Sequence, residues 1–262
     1  MELLTTKQLT MQFGGLVAVN KVDFTIAQGE TVGIIGPNGS GKTTFFNMLT
    51  GIYKPTAGEI YFLGQQITEA RPDYAFRLGI ARTFQNGRLF WKLNVLENVL
   101  MGLHSRQKSF ILDALFRSRR EREEEALAVA EAQKILSFFS QNLLQQQDKL
   151  AASLSYADRR RLEICRALVS KPKLLILDEP SAGMDPNETT ELVHDIRKIR
   201  EIQPQISIIV IEHDMGLIEG LANRVMCLSS GEKIAEGTFA EVSRDQMVIH
   251  AYLGEDDNDA AV

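Results

Sequence analysis

This sequence is poor in the residues that hold transition metals or staple small folds. Cysteine occurs twice, as Cys165 within an apolar helical pattern and Cys227 within a strand-like run, with no CxxC pair. That spacing excludes a disulfide framework and a zinc ribbon, and it predicts two buried, reduced thiols in a cytosolic setting. The four histidines, His104, His194, His213 and His250, are scattered and offer no metal-ligand spacing. Positive charge is in deficit, with 29 Lys+Arg against 34 Asp+Glu and a formal charge of -5. No bulk positive field exists to hold a nucleic-acid backbone, so no nucleic-acid partner is expected. Long apolar runs are missing too, none approaching the ~18 residues of a bilayer span. The start, "MELLTTKQLT", lacks a basic segment followed by an apolar one. A soluble chain is expected, joined to any membrane through a partner.

What is present is enough apolar residue, 44% of 262, to bury one large core or two small ones. Short, partly alternating apolar runs from Leu3 to Ile26 and from Glu59 to Leu63, broken by "QFGG", "AQGE" and "KPTAGE", predict β-hairpins. "TVGIIG" is a continuous apolar run ending in glycine, as in a buried strand, and a helix should follow from Lys42 to Leu49, closed by Gly51. From Val95 to Leu150 the chain turns charged, alanine-rich and helically periodic, which predicts a helical insertion. "KLLILDEP" and "ISIIVIEH" then restore buried strands around an amphipathic helix through "NETTELVHDIRKIREI", a parallel α/β arrangement. The ending "GEDDNDAAV" is acidic and without a core-forming pattern, so disorder is expected there.

"GPNGSGKTT", residues Gly36, Pro37, Asn38, Gly39, Ser40, Gly41, Lys42, Thr43 and Thr44, fits the phosphate-loop pattern between a strand and a helix. Glycines allow the tight turn that lets successive N–H groups and the helix N-terminus surround phosphate oxygens. Lys42 adds a point charge and Thr43 a magnesium ligand. "LLILDEP" places Asp178 just past a buried strand, where its carboxylate reaches the same metal ion, and Glu179 beside it to orient or deprotonate an attacking water. "NKVD", Asn20 to Asp23, matches a guanine-reading tetrad but precedes the phosphate loop instead of following it. It is read as the lead-in to a strand.

With "GPNGSGKTT", "RTFQN", "SLSYADRRRLEICRAL", "LLILDEPSAGMD" and "IEHDM" in this order, the sequence resembles the nucleotide-binding subunits of ABC transporters over nearly its whole length. The resemblance implies an α/β P-loop NTPase core with an N-terminal antiparallel β subdomain and a helical subdomain. It implies a single nucleotide-binding domain over 1–262, with 1–85 and 168–240 forming the β subdomain and core. Residues 86–167 would form the helical subdomain, and 241–262 a C-terminal helix and acidic tail, with no further regulatory domain after Gly237. ATP and Mg2+ are the implied cofactors. On this likeness Phe13 stacks on adenine, Gln85 senses the metal and the attacking water, and His213 contacts the γ-phosphate. Asp185 lies in a loop that crosses a dimer interface, and Ser155 faces the nucleotide of an opposed subunit. Plainer roles stand beside these: a strand core residue for Phe13, a loop polar group for Gln85, a surface histidine for His213.

"ARTFQNGRLFWKLNVLENVL", "SAGMDPNETTEL" and "VIHAYLG" are similar to the ATPases of branched-chain amino acid importers in particular. That subgroup implies import driven by ATP hydrolysis in a head-to-tail dimer at the cytoplasmic face of the inner membrane. The implied partners are permease subunits, a second and different ATPase subunit and, indirectly, an extracytoplasmic substrate-binding protein. Import of urea or amides, lipopolysaccharide extraction, and a soluble ABC ATPase switch are the alternatives. Where the family has LSGGQ this chain has "LSYAD", with Ala157 for a glycine and Asp158 for a glutamine. A weakened signature, and hence an asymmetric pair of sites, follows if position 157 needs a positive φ and Asp158 opposes bound phosphate. If Asp158 points to solvent, nothing is impaired. Arg159 to Arg161 are expected as a solvated face. Leu89, Phe90 and Trp91 either belong to the core or line a groove that receives a permease helix.

Overall fold

The strands that carry the site are apolar on both faces, and this dictates a layered arrangement with cover on each side. In the computed structural model, which describes residues 1–83, 89–103 and 119–253, six strands form the central sheet. They are β3 (Thr31–Ile35), β6 (Ile80–Arg82), β7 (Leu174–Asp178), β8 (Ser207–Ile211), β9 (Arg224–Ser229) and β10 (Glu232–Gly237), in the order β10-β9-β3-β8-β7-β6. All neighbours are parallel except the β9/β10 hairpin. Every residue of β3, β7 and β8 is buried.

Alternation along these strands assigns side chains to two cores. Leu174, Ile176, Ile209 and Ile211 meet Phe45 and Phe46 of α1 (Lys42–Leu49) and the inner face of a second, antiparallel sheet. That sheet runs β2-β1-β4-β5, from β1 (Glu2–Phe13), β2 (Leu16–Ala27), β4 (Ala57–Phe62) and β5 (Gln65–Gln66). Leu175, Leu177, Ile208 and Val210 face the other way, onto helices. These include α3 (Val95–Met101), α4 (Arg119–Phe139), α6 (Tyr156–Leu168) and α7 (Pro186–Ile202), with α2 (Pro72–Leu78) at the sheet edge and α5 (Gln141–Gln145) after α4. Each fully buried Leu, Ile or Phe contributes roughly 1.5–3 kcal/mol of transfer free energy, so both faces of the sheet are firmly clamped.

The hairpin, the buried strands, the helix from Lys42 to Leu49 and the helical stretch after Val95 lie where the sequence places them. "NKVD" falls inside β2 and not ahead of it. Strand β6 was not anticipated, because three residues are too few to show a period. After β8 come α8 (Met215–Leu221) and, past the hairpin, α9 (Phe239–Val242) and α10 (Gln246–Leu253), which return to the sheet through buried Val242 and Val248. Among the described residues no helix is long and apolar enough to cross a membrane.

Candidate functional site

The loop from Gly36 to Gly41 joins the end of β3 to the start of α1, and two of its glycines are sterically obligatory. Gly36 has φ 146°, and a Cβ there would sit 2.0 Å from the Leu228 carbonyl oxygen; Gly41 has φ 98°, and its Cβ would lie 2.3 Å from that of Ala18. No side chain caps α1, so its leading N–H groups are left to an anion. The exposed Thr43 and half-buried Thr44 stand on that first turn. Lys42 is buried, its Nζ donating to the carbonyl oxygens of Gly36 at 2.6 Å and Pro37 at 2.8 Å, and to Ser40 Oγ at 3.4 Å. The loop is braced from behind: Gly231 N–H donates to the Ser40 carbonyl, and Gly36 N–H donates to the Tyr252 hydroxyl of α10 at 2.8 Å.

Strands β7 and β8 bring the acidic half. Asp178 ends β7, buried, with Oδ2 2.6 Å from Arg82 Nη2 and its N–H donating to Thr83 Oγ1. Glu179 follows at φ 46°, a conformation that costs a non-glycine residue ~1–3 kcal/mol. Its N–H donates to the Ile211 carbonyl, and its Oε1 lies 3.0 Å from Nε2 of half-exposed His213. The cross-brace is Glu212, buried at the end of β8. Its Oε1 accepts from Ser181 N–H and Oγ at 2.7 and 2.6 Å, and its Oε2 from His213 N–H at 3.0 Å. Glu179 is thus held at its backbone by Ile211 and at its carboxylate by His213, with Glu212 fixing the residues on either side.

Phe13 ends β1 and is 42% exposed, its ring edge-on to Tyr53 at 5.5 Å, so it is not a strand core residue. Ser155 and Asp185 are exposed N-caps: Ser155 Oγ accepts from Asp158 N–H on α6, and Asp185 Oδ1 accepts from Asn187 and Glu188 N–H on α7. Gln85 lies outside the described residues, as does the acidic tail. Both thiols are buried: burial pushes Cys227 up to about 11 against the pull of the Lys42 charge, and raises Cys165 as well.

Three corrections concern the signature region. Ala157 lies within helix α6, in backbone that asks nothing of glycine. Asp158 does not point to solvent; it is buried, with Arg161 3.9 Å away. The arginines are not a solvated face. Arg159 stacks over Trp91, buried Arg160 pairs with Glu163 at 3.1 Å, and Arg161 reaches Asp195 at 2.8 Å and Glu191 at 2.7 Å. Burial raises the Glu163 carboxyl pKa despite Arg160. With Asp158 partly answered by Arg161 and Ala157 unstrained, Ala157→Gly with Asp158→Gln should leave the ATPase rate of an assembled dimer within about twofold, under ~0.5 kcal/mol of barrier. A several-fold gain in steady-state phosphate release by the double variant would restore the weakened-signature reading.

Leu89 is core, whereas Phe90 and Trp91 are 46% and 45% exposed. Phe90 borders a groove of about 540 Å³ between β6, α2 and α3, walled by Phe76, Ile80 and Met101 and carrying Arg77, Arg82 and Arg166 against Asp73. Arg82, Glu212 and Tyr252 escaped the sequence reading. A charge inside "GIARTF" and another closing "SIIVIE" were the available signals; the Tyr252 contact spans 216 residues and left none.

Comparison with known proteins bears on this arrangement. The family model described as ABC transporter matches residues 19–182, and one described as branched-chain amino acid ATP-binding cassette transporter matches 232–258. The chain is 41% identical over 253 residues, covering 97% of it and 98% of the relative, to the high-affinity branched-chain amino acid transport ATP-binding protein LivG of Escherichia coli K12. It is 39% identical, at the same coverage, to BraF of Pseudomonas aeruginosa, which carries the same description. The crystal structure of a nucleotide-free ATP-binding cassette from an ABC transporter superposes with a TM-score of 0.83 at 32% identity, over 96% of this chain and 99% of that one.

Proposed function

Since the chain belongs to the ABC transporter family of ATP-binding proteins, we propose that it hydrolyses MgATP to power import of branched-chain or other hydrophobic amino acids. It does so as one member of a head-to-tail dimer, seated on permease subunits at the cytoplasmic face of the membrane. The observation that carries this is the convergence of an anion-binding loop with a braced acid and histidine at one edge of the sheet. Gly36–Thr44 leaves the end of β3, His213 follows the end of β8 beside it, and Asp178 and Glu179 leave the end of β7, the next strand out.

The donor set fits the group it is asked to hold. Hard oxygen ligands from Thr43 and Asp178, and from Gln85, suit magnesium, which when bound neutralises charge on the phosphate oxygens. The uncapped N-terminus of α1 and Lys42 take the phosphates, and Phe13 takes the base. Glu179 accepts the proton of the attacking water, and His213 keeps that carboxylate aimed across the site. Ser155 keeps a hydroxyl hydrogen to give away, because in its cap it only accepts, and it serves the nucleotide of the opposed subunit. Asp185 stands at the same face. The likeness of residues 232–258 to the branched-chain amino acid cassette model supports the substrate class, and the pairing with a second, different ATPase subunit follows that subgroup.

The groove at Phe90 receives a short cytoplasmic segment of the permease. Its apolar walls, Phe76, Ile80, Met101 and Phe90, take the apolar face of such a segment. A tagged Glu179→Gln form, isolated with ATP from detergent-solubilised cells, should bring down two permease subunits and a second ATPase. Recovery with ribosomes, with repair factors or without any membrane protein overturns the transport reading.

A further inference from the structure

The floor of the groove holds a side chain that the hydrolysis scheme does not use. Arg82, the last residue of β6, is only 6% exposed, yet it lines the groove. Its Nη2 donates to Asp178 Oδ2 at 2.6 Å and its Nη1 to Asn47 Oδ1 at 2.7 Å. Asn47 belongs to α1, the helix that opens from the phosphate loop. The residue after Arg82, Thr83, accepts the Asp178 N–H. One guanidinium therefore touches the groove, the phosphate-loop helix and the proposed metal carboxylate.

The chemistry of that contact is directional. A planar fork with separate donors on two elements fixes both at once, which a single ammonium does not. Asp178 is buried, so without Arg82 its charge stands uncompensated in a poor solvent for ions, and its carboxyl is freer to rotate. With Oδ2 taken by Arg82, Oδ1 is the oxygen left for a cation.

The geometry points to Arg82 as a positioning residue: it sets the Asp178 carboxylate for the metal and passes movement of the groove's occupant to that carboxylate. The first half needs this chain alone, while the second rests on the reading of the groove as the seat of the permease. An occupant that displaces β6 carries Arg82 with it. Because Arg82 grips both Asn47 and Asp178, α1 and β7 answer together, and the groove is felt at the phosphate site without touching nucleotide.

The isolated full-length chain tests the first half, by titrating a fluorescent ATP analogue at a series of Mg2+ concentrations and again in chelator. In Arg82→Met the Mg2+ concentration for half-maximal binding should rise roughly fivefold, the lower range for linked sites, while affinity in chelator stays within about twofold. Arg82→Lys should recover part of the metal dependence. In an Asp178→Asn background Arg82→Met should add nothing. Equal losses with and without Mg2+, or no change in either, overturn the assignment. Should Arg82→Met not fold, Arg82→Lys carries the test, with the same split expected at about twofold to threefold.

The second half is read in the assembled complex. Arg82→Met should still co-purify with the permease but lose the stimulation of ATP hydrolysis by transport substrate and binding protein. Stimulation that persists overturns the coupling. If the wild-type chain itself fails to co-purify, the groove reading falls and the coupling half with it, and the metal titration still decides the first half.

Discussion

Glu179→Gln is expected to lower ATP turnover by ~10²–10⁴-fold, the usual worth of a positioned general base, while nucleotide binding stays close to that of the parent chain. The substitution keeps the volume and the ability to meet His213 Nε2 across 3.0 Å, and it removes only the basicity. Its backbone setting should survive, because the positive φ at this position is enforced from outside by the Ile211 carbonyl and by the grip of Glu212 on Ser181 and His213. Single-turnover measurement of phosphate release, beside equilibrium binding of an ATP analogue, checks both halves of the expectation. A variant that binds ATP normally and hydrolyses at better than a tenth of the parent rate would move the base elsewhere. A variant that loses binding as well would make Glu179 a structural residue. The same variant should accumulate as an ATP-bound dimer at high protein concentration, since closure is then no longer followed by cleavage.

What was legible beforehand divides by physical scale. Runs such as "TVGII", "LLILD" and "SIIVI" announce themselves because a strand buried on both faces must be apolar along its middle, and each occupies five buried positions. The phosphate loop was equally plain, since its glycines answer to local geometry: Gly36 and Gly41 collide with backbone oxygens if given a Cβ. The braces were not. Glu212 reads as the polar end of a strand until Ser181, 31 residues away, is seen donating to it twice. The signature region failed in an instructive direction. Three consecutive arginines suggest a solvated face, but a helix of this period sends Arg160 inward to Glu163 and turns Arg161 toward α7, where Asp195 and Glu191 wait. Charge in a helix reports its partners only when the neighbouring helix is known. The same ignorance made Asp158 look like an intruder at a phosphate-facing end, when Arg161 one turn on partly answers its charge.

Lys42→Ala is expected to weaken ATP binding by roughly 10²–10⁴-fold, and the reason lies in what the ammonium does before any phosphate arrives. Lys42 is nearly sealed from water and curls back onto its own loop, bonding the Gly36 and Pro37 carbonyls. The fold has therefore already ordered the side chain and removed most of its hydration, so bringing a phosphate oxygen to it costs little further reorganisation. Two charge-assisted bonds at about 1.5–3 kcal/mol each correspond to that range of dissociation constants at ~1.4 kcal/mol per decade. The same deletion leaves two carbonyls without their cation, so the nucleotide-free chain should melt lower, by ~2–4 °C for each kcal/mol lost. Lys42→Arg separates charge from shape: the fork keeps the charge but does not repeat a point contact inside so small a loop, and binding should stay impaired. Titration calorimetry with ATP, paired with melting of the nucleotide-free proteins, gives both quantities. If Lys42→Ala lowers the midpoint but binds ATP within threefold of the parent, the ammonium is a staple of the loop and the phosphate is held by backbone alone. If binding collapses and the midpoint barely moves, the staple is incidental. Both effects together are what a pre-ordered cation predicts, because one set of bonds serves the loop first and the phosphate afterwards.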